Sequence, residues 1–247
     1  KDSKQSLELK YEYTDEVSNE TYFGLTDADF AANPLQRYAG TQEDQMDNEH
    51  WQMVATHNYQ ASADMRVQTQ VYQTWFDRNW YKLKSVGGSS YSGAVSDADK
   101  FAVLKGGDSS DACLNAPDTV TCADTDLTVK ANNRQYETSG FQTKVNWQLA
   151  NHSLELGYRQ HKDEMTRVQW SDDYYAEDGA MVLYNAGVPG AGGGSDNRFE
   201  EAEAVSYYLY DEVELGAWTL SPGVRHEKID GLRVARLTGE VEKNTSY

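Results

Sequence analysis

Long hydrophobic runs are missing from this sequence of 247 residues, and its mean hydropathy is -0.78. No apolar stretch approaches the ~20 residues that a transmembrane helix needs, which excludes a helical membrane protein. A membrane β-barrel is not excluded, because each strand needs only about 9–11 residues and only every second one must be apolar. The first residues also lack the apolar segment of a signal peptide. We therefore expect that a signal was removed or that the chain begins within a longer protein.

Basic residues and prolines are also few. The 22 Lys and Arg against 40 Asp and Glu give a net charge of -18. This balance disfavours nucleic acid as a partner, since nonspecific binding needs a basic surface, and it disfavours simple docking on anionic lipid. Aromatic residues make up 12% of the chain, whereas disordered chains are normally poor in them. We therefore expect a folded chain of one large all-β domain or two smaller ones.

Cysteine occurs only twice, as Cys113 and Cys122. Between them lie Pro117 and Asp118, two residue types that suit a turn. The spacing matches no zinc motif, and no histidine lies nearby. We predict a disulfide between the two cysteines, formed in an oxidising compartment; the alternative is two free thiols in a cytosolic protein.

The strongest positive signal is an alternation of apolar and polar residues, which indicates β-strands. In the first such segment Leu7 and Leu9 share one face, and Glu8 lies on the other. Polar faces rich in Gln, Glu and Arg suit water, so the apolar faces must meet either a second sheet or lipid. Seven segments show the pattern: SLELKYEYT, HWQMVATHNY, RVQTQVYQTWF, FQTKVNWQL, SLELGYRQ, VSYYLYDEVEL and WTLSPGVRHE.

The connections between these strands alternate between short and long. The short ones are QASAD, ANHS and GA, and the long ones are residues 14–48, 79–134 and 161–201. Long structureless loops count against a compact soluble domain, but outer-membrane barrels combine short periplasmic turns with long extracellular loops. Aromatic residues near strand ends fit the interfacial girdles of such barrels. They are Tyr13, Trp51, Tyr59, Trp75, Trp147 and Trp218. We predict an all-β antiparallel meander that forms part of a transmembrane β-barrel with long extracellular loops.

Seven strands do not close a barrel of the usual even strand number. The sequence ends at EKNTSY, which follows the seventh predicted strand and lacks an aromatic terminal strand. We expect residues 1–247 to be a part of a larger barrel.

Three segments resemble TonB-dependent outer-membrane receptors. SNETYFGLTDADFAANPLQRYAGTQEDQMDNEH is most similar to the ferric dicitrate transporter type. The stretch from Tyr208 to Arg225 is similar to the family hairpin Y-x-x-D-E-x-x-L-G-x-W-T-L-x-P-G-x-R, and GYRQHKDEMTR looks like the strand before it. The resemblance implies a barrel of about 22 strands with an N-terminal plug, although neither a plug nor a TonB box is recognisable here.

The resemblance also implies a function and partners. These are import of a ferric chelate across the bacterial outer membrane, energy from the TonB system acting through the plug domain, and contact with outer-membrane lipid and lipopolysaccharide. Two other functions remain open: a passive porin-like or adhesive barrel, and a soluble β-sandwich that binds carbohydrate through its aromatic residues. No GxSxG, HExxH or P-loop motif occurs, so we do not expect an enzyme.

Ferric dicitrate and most ferric siderophores are anions, and the planar guanidinium group of arginine matches carboxylates. Arg37 lies in the first long loop, and Arg78 lies at the outer end of the third strand. Arg159 lies on the polar face of the fifth strand, and Arg167 falls in the third long loop. We predict that these four arginines bind substrate. For each of them the alternative is an ion pair with a neighbouring carboxylate.

Protein ligands for iron are not expected. The five histidines show no ligand spacing on a shared face, so the chelator alone should hold the metal, and we predict no cofactor. The aspartates around the two cysteines match no EF-hand pattern.

Overall fold

The computed structural model describes residues 4–190 and 197–247. Ten strands in these residues form one antiparallel sheet. The strands are β1 (Gln5–Ser18), β2 (Gln45–Gln60), β3 (Met65–Val86), β4 (Leu127–Leu149), β5 (His152–Glu177), β6 (Ala180–Asn185), β7 (Arg198–Leu215), β8 (Trp218–Leu220), β9 (Gly223–Ala235) and β10 (Val241–Ser246). The helices are α1 (Asp27–Ala32), α2 (Tyr91–Ser96), α3 (Ala98–Leu104) and α4 (Asp111–Asn115).

The strands are paired in the order β1-β2-β3-β4-β5-β7-β9-β10, while β6 pairs with β5 and β8 pairs with β7. This order confirms the predicted antiparallel meander. The prediction missed β6, which lies in a segment predicted as a loop, and it took β8 and β9 as one strand, WTLSPGVRHE. It also missed the last strand, β10, which pairs with β9 from Val241 opposite Val234 to Ser246 opposite Ile229. Its sequence, VEKNTS, has almost no apolar residues, so periodicity gave no signal there.

Several strands are longer than predicted. β3, β4 and β5 have 22, 23 and 26 residues, roughly twice the 9–11 that cross a bilayer. Parts of all three predicted loops are therefore strand, and Arg167 lies in β5 instead of a loop. These parts are residues 14–18, 45–48, 79–86, 127–134, 161–177, 180–185 and 198–201. The connections that remain on this side are loop 1 (residues 19–44), loop 2 (residues 87–126) and the segment after β5.

The sheet has two chemically different faces. On β3, Gln68, Gln70 and Thr74 lie on one face, which we call the polar face. Val67 and Val71 lie on the other, the apolar face. On the apolar face an aromatic line runs across three strands, because Tyr13 is paired with Trp51 and Trp51 with Trp75. This alignment is the arrangement expected of an interfacial girdle.

Two glycines on the polar face make room for tyrosines of the neighbouring strand. A Cβ at Gly140 would overlap the Tyr72 ring, and a Cβ at Gly157 would overlap the Tyr208 ring. The Tyr208 hydroxyl then donates to Glu155 Oε1 at 2.6 Å. Each tyrosine fits only where its partner has no side chain, so these pairs help to fix the register of β3 on β4 and of β5 on β7.

The buried core lies where loops 1 and 2 pack on the ends of β3, β4 and β5. Loop 1 contributes Phe23 and Tyr38, whose rings meet Tyr91 and Phe101 edge-on at 5.4 and 5.7 Å. The other buried members are Leu83, Val86, Ala94, Val103, Leu104, Leu127, Val129, Tyr174 and Ala176. Cys113 and Cys122 are joined in a disulfide within loop 2. None of the helices in the described residues is long and apolar enough to span a membrane.

Candidate functional site

Four arginines lie side by side on the polar face of four neighbouring strands. The register places Arg78 opposite Arg134, Arg134 opposite Arg167, and Arg167 opposite Arg198. Adjacent strands are about 4.8 Å apart, so the four side chains start within roughly 14 Å of one another. We call Arg78, Arg134, Arg167 and Arg198 the arginine row.

An aromatic and cationic cluster borders the arginine row on the side of loop 1. The Lys82 ammonium lies 3.7 Å from the centre of the Tyr22 ring and 3.9 Å from that of the Trp80 ring. The two rings meet edge-on, with centroids 5.7 Å apart. Lys82 is paired across the strands with Lys130, so two further positive charges lie next to the row.

An aromatic shelf borders the row on the opposite side. The rings of Phe76 and Tyr136 stack at 6.0 Å with planes 22° apart, and the His50 ring meets Phe76 edge-on at 5.9 Å. Arg134 donates from Nη1 to the Tyr136 hydroxyl at 3.1 Å. The row is thus a strip of positive charge between two aromatic borders.

Some buried donors in this region have no acceptor in the described part of the chain. They include the Nε of Arg78 and the Nε1 of Trp80, which lie two residues apart on the polar face of β3. A buried donor without an acceptor costs about 1–3 kcal/mol. A ligand that brings a hydrogen-bond acceptor to either atom would remove this cost.

Acidic partners are concentrated at one end of the row. Glu200 Oε1 lies 2.8 Å from Arg198 Nε and 3.8 Å from Arg233 Nε. Within the described residues no carboxylate pairs with Arg78 or Arg134, and Asp77 lies on the opposite face from Arg78. The predicted alternative for Arg78, an ion pair with its sequence neighbour, is therefore not formed.

Loop 1 is fastened by Arg37, which lies apart from the row. Its Nε donates to Thr41 Oγ1 and its Nη1 to the Asn19 carbonyl, both at 3.0 Å. Its Nη2 donates to the carbonyls of Thr41 and Asp44. All three nitrogens are used within the loop, so we do not include Arg37 in the candidate site.

Asp44 joins loop 1 to the end of β3. Its Oδ1 accepts from the Leu83 N–H, and its Oδ2 accepts from Thr21 Oγ1 at 3.0 Å and from the Tyr22 N–H at 3.3 Å. Asp44 is 1% exposed, and burial raises the pKa of its carboxyl group, although these hydrogen bonds oppose the shift. Through Tyr22 this contact reaches the Lys82 cluster beside the row.

Arg159 belongs to a separate network on the polar face, eight residues along β5 from the row. It donates from Nε to the Tyr72 hydroxyl at 3.1 Å, and that hydroxyl lies 2.6 Å from His161 Nδ1. His161 Nε2 lies 2.7 Å from Asp163 Oδ2, and Thr138 donates to Asp163 Oδ1 at 2.7 Å. The structure thus groups Arg78 with Arg167 and leaves Arg37 and Arg159 elsewhere.

The comparison with known proteins agrees with this architecture. The sequence profile of the family described as TonB dependent receptor-like, beta-barrel, matches residues 2–246. The chain belongs to this family. No curated protein sequence matches it.

Solved structures of TonB-dependent receptors share the fold. The ferric citrate transporter FecA, in its unliganded form, gives a TM-score of 0.58 at 17% identity, with 99% of this chain and 30% of that chain covered. The siderophore receptor PiuA from Acinetobacter baumannii gives 0.64 at 12% identity, with 99% and 36% covered. BauA, the ferric preacinetobactin receptor of the same organism, gives 0.51 at 9% identity, with 100% and 34% covered. The chain therefore spans about a third of the length of these structures. At such low identities, the likeness to them concerns the fold alone.

In a TonB-dependent receptor barrel the polar face of the sheet lines the interior and the apolar face meets lipid. The arginine row, the Lys82 cluster and the aromatic shelf therefore lie on the inner wall, next to loops 1 and 2. In residues 4–190 and 197–247 no three His, Cys, Asp or Glu side chains come together as a metal-binding set. What this wall carries is a strip of positive charge.

Proposed function

We propose that the protein is a receptor of the bacterial outer membrane that imports an anionic ferric chelate, ferric dicitrate or another ferric siderophore, with energy supplied through TonB. Membership of the family supports the class of protein. The arginine row supports the charge of the ligand, and Arg78 carries the argument because its buried Nε has no acceptor and its guanidinium no carboxylate partner in the described residues.

Capture would begin when the chelate enters below loops 1 and 2. Carboxylates of the chelate would bind the guanidinium groups of Arg78 and Arg134 through paired hydrogen bonds, which are about twice as strong as neutral ones. The aromatic shelf would support the body of the ligand from one side and Trp80 from the other. Iron would stay with the chelator, so the wall needs no metal ligands of its own.

The partners follow from the same proposal. The TonB system would act through a plug domain inside the barrel. The polar inner wall below the row would contact this plug domain. The apolar face, with its line of aromatic residues, would contact outer-membrane lipid and lipopolysaccharide.

Binding to the full-length receptor in detergent tests the proposal. Arg78→Gln and Arg134→Gln should each weaken ferric dicitrate binding about ten-fold or more, since each removes a charge-assisted hydrogen-bond pair. A neutral ferric trihydroxamate should bind the variants and the wild type alike. Arg66→Gln is the matched control, because Arg66 lies on the same face of β3 near the other end of the strand.

Two results would contradict the proposal. Unchanged affinity of both row variants for every anionic ferric chelate tested would remove the site. Uptake into cells that persists without TonB would instead indicate passive passage through the barrel.

A further inference from the structure

Tyr136 lies beside two members of the arginine row. Its hydroxyl accepts a hydrogen bond from Arg134 Nη1 at 3.1 Å. Arg78 and Arg134 are directly opposite each other in the register. The phenol oxygen is thus bonded to one of two guanidinium groups that start opposite each other on adjacent strands.

This hydrogen bond addresses a physical problem. Like charges directly opposite each other on neighbouring strands repel, so two long arginine side chains would be expected to turn apart. The hydrogen bond to the Tyr136 hydroxyl restrains the Arg134 guanidinium against such a turn. It therefore keeps the two cations close together before any anion is bound.

The Tyr136 ring is itself held in place. It stacks on Phe76 at 6.0 Å, and Phe76 is packed edge-on against His50 at 5.9 Å. Phe76 is also the cross-strand partner of Tyr136 in the register. The position of the hydroxyl is thus fixed by the packing of the shelf and does not depend on the arginines.

We propose that Tyr136 is a positioning residue for ligand capture, which holds Arg134 beside Arg78 so that both guanidinium groups converge on one carboxylate of the ligand. The inference rests on the proposed function. With its oxygen accepting from Arg134, the hydroxyl proton is left to point away from that arginine, so it adds a further donor for the same anion.

The variant Tyr136→Phe in the full-length receptor tests this role, because it removes the hydroxyl and keeps the ring. Ferric dicitrate should bind about ten-fold more weakly than to the wild type. The affinity for a neutral ferric trihydroxamate and the thermal unfolding midpoint should stay unchanged. Tyr72→Phe is the matched control, because Tyr72 also accepts a hydrogen bond from an arginine of the polar face, Arg159, outside the row.

The outcomes separate this inference from the proposed function. Wild-type affinity of Tyr136→Phe, together with weakened binding in Arg134→Gln, would overturn the role of Tyr136 and leave the site intact. An equal loss for the anionic and the neutral chelate, with a lower unfolding midpoint, would show a merely structural tyrosine and would also overturn it. Unchanged binding in Arg78→Gln and Arg134→Gln would refute the site itself, whatever Tyr136→Phe shows.

Discussion

Gly140 leaves a space that the Tyr72 ring fills from the neighbouring strand. In Gly140→Ala the new Cβ would overlap the ring, so Tyr72 would have to turn away from Arg159 and His161, to which its hydroxyl is bonded. Overpacking of this kind costs about 1–3 kcal/mol. We expect a lower thermal unfolding midpoint for the receptor in detergent, followed by circular dichroism.

The control for this substitution is Gly24→Ala in loop 1, where a Cβ would have no neighbour within 4 Å. Its unfolding midpoint should match that of the wild type. Equal midpoints for both alanine variants would show that Tyr72 has room to move and that the Gly140 contact does not fix the register.

Individual arginines also show where sequence reasoning ends. Arg78 and Arg167 could be predicted as candidate binding residues because basic side chains are rare in so acidic a chain. The same reasoning applies to Arg198, which falls in the same predicted loop as Arg167. Arg134 gave no such signal, since it joins the row only through the pairing of the strands. β3 and β4 are connected by the long loop 2, so the loop does not dictate their register, which depends on contacts such as Tyr72 with Gly140. Arg37 was predicted for its loop, but its partners are carbonyl groups that no sequence pattern marks.

At the scale of elements, alternation located the strands but not their ends. Within a bilayer one face of a strand must be apolar, which makes the period visible. Beyond it, β3 continues through Leu83, Ser85 and Val86 under loops 1 and 2, where all three side chains are buried and the alternation is lost. The alternation of short and long connections in the meander could be predicted, because the two kinds of connection differ so strongly in length.

The junction of loop 2 with β4 carries a pH-dependent element. Burial, and then the charge of Asp173, raise the pKa of Asp126 to about 6. Its ordinary value is about 3.9, so the folded junction favours the protonated carboxyl. The stabilising contribution is complete below pH ~4 and is lost as the pH rises through about 6.

Asp126→Asn should therefore stabilise loop 2 at pH 7 and have no effect near pH 4. Because the side chain is partly exposed, we expect about 1 kcal/mol after allowing for solvent screening. Hydrogen exchange of the Gly87 amide, which donates to the Asp126 carbonyl at 2.8 Å, reports on this junction. Asp124→Asn, at an exposed position nearby, is the control. Equal exchange rates in Asp126→Asn and the wild type at both pH values would contradict the assignment.

For the whole molecule, the position of the arginine row depends on the assignment of one face to lipid and the other to the barrel interior. Val71 and Gln70 are sequence neighbours near the middle of the part of β3 assigned to the membrane, and they lie on opposite faces. Val71→Arg should destabilise the receptor in lipid vesicles by about 2–4 kcal/mol, the cost of a cation at the midplane. Gln70→Arg should change stability by only about 1 kcal/mol. An arginine there faces water and can still donate to Thr56 Oγ1, as Gln70 does at 3.1 Å, but it cannot accept from Gln142 Nε2, as Gln70 Oε1 does at 2.7 Å.

Urea unfolding of the two variants and the wild type in vesicles measures these differences, and each variant serves as the control for the other. A larger loss in Gln70→Arg would reverse the two faces and with them the position of the arginine row.

The same assignment requires that the wild-type receptor stay monodisperse only with detergent or lipid. If it stays monodisperse without either, the apolar face must be covered by protein, as in a β-sandwich, because an apolar face of this size left in water would drive aggregation.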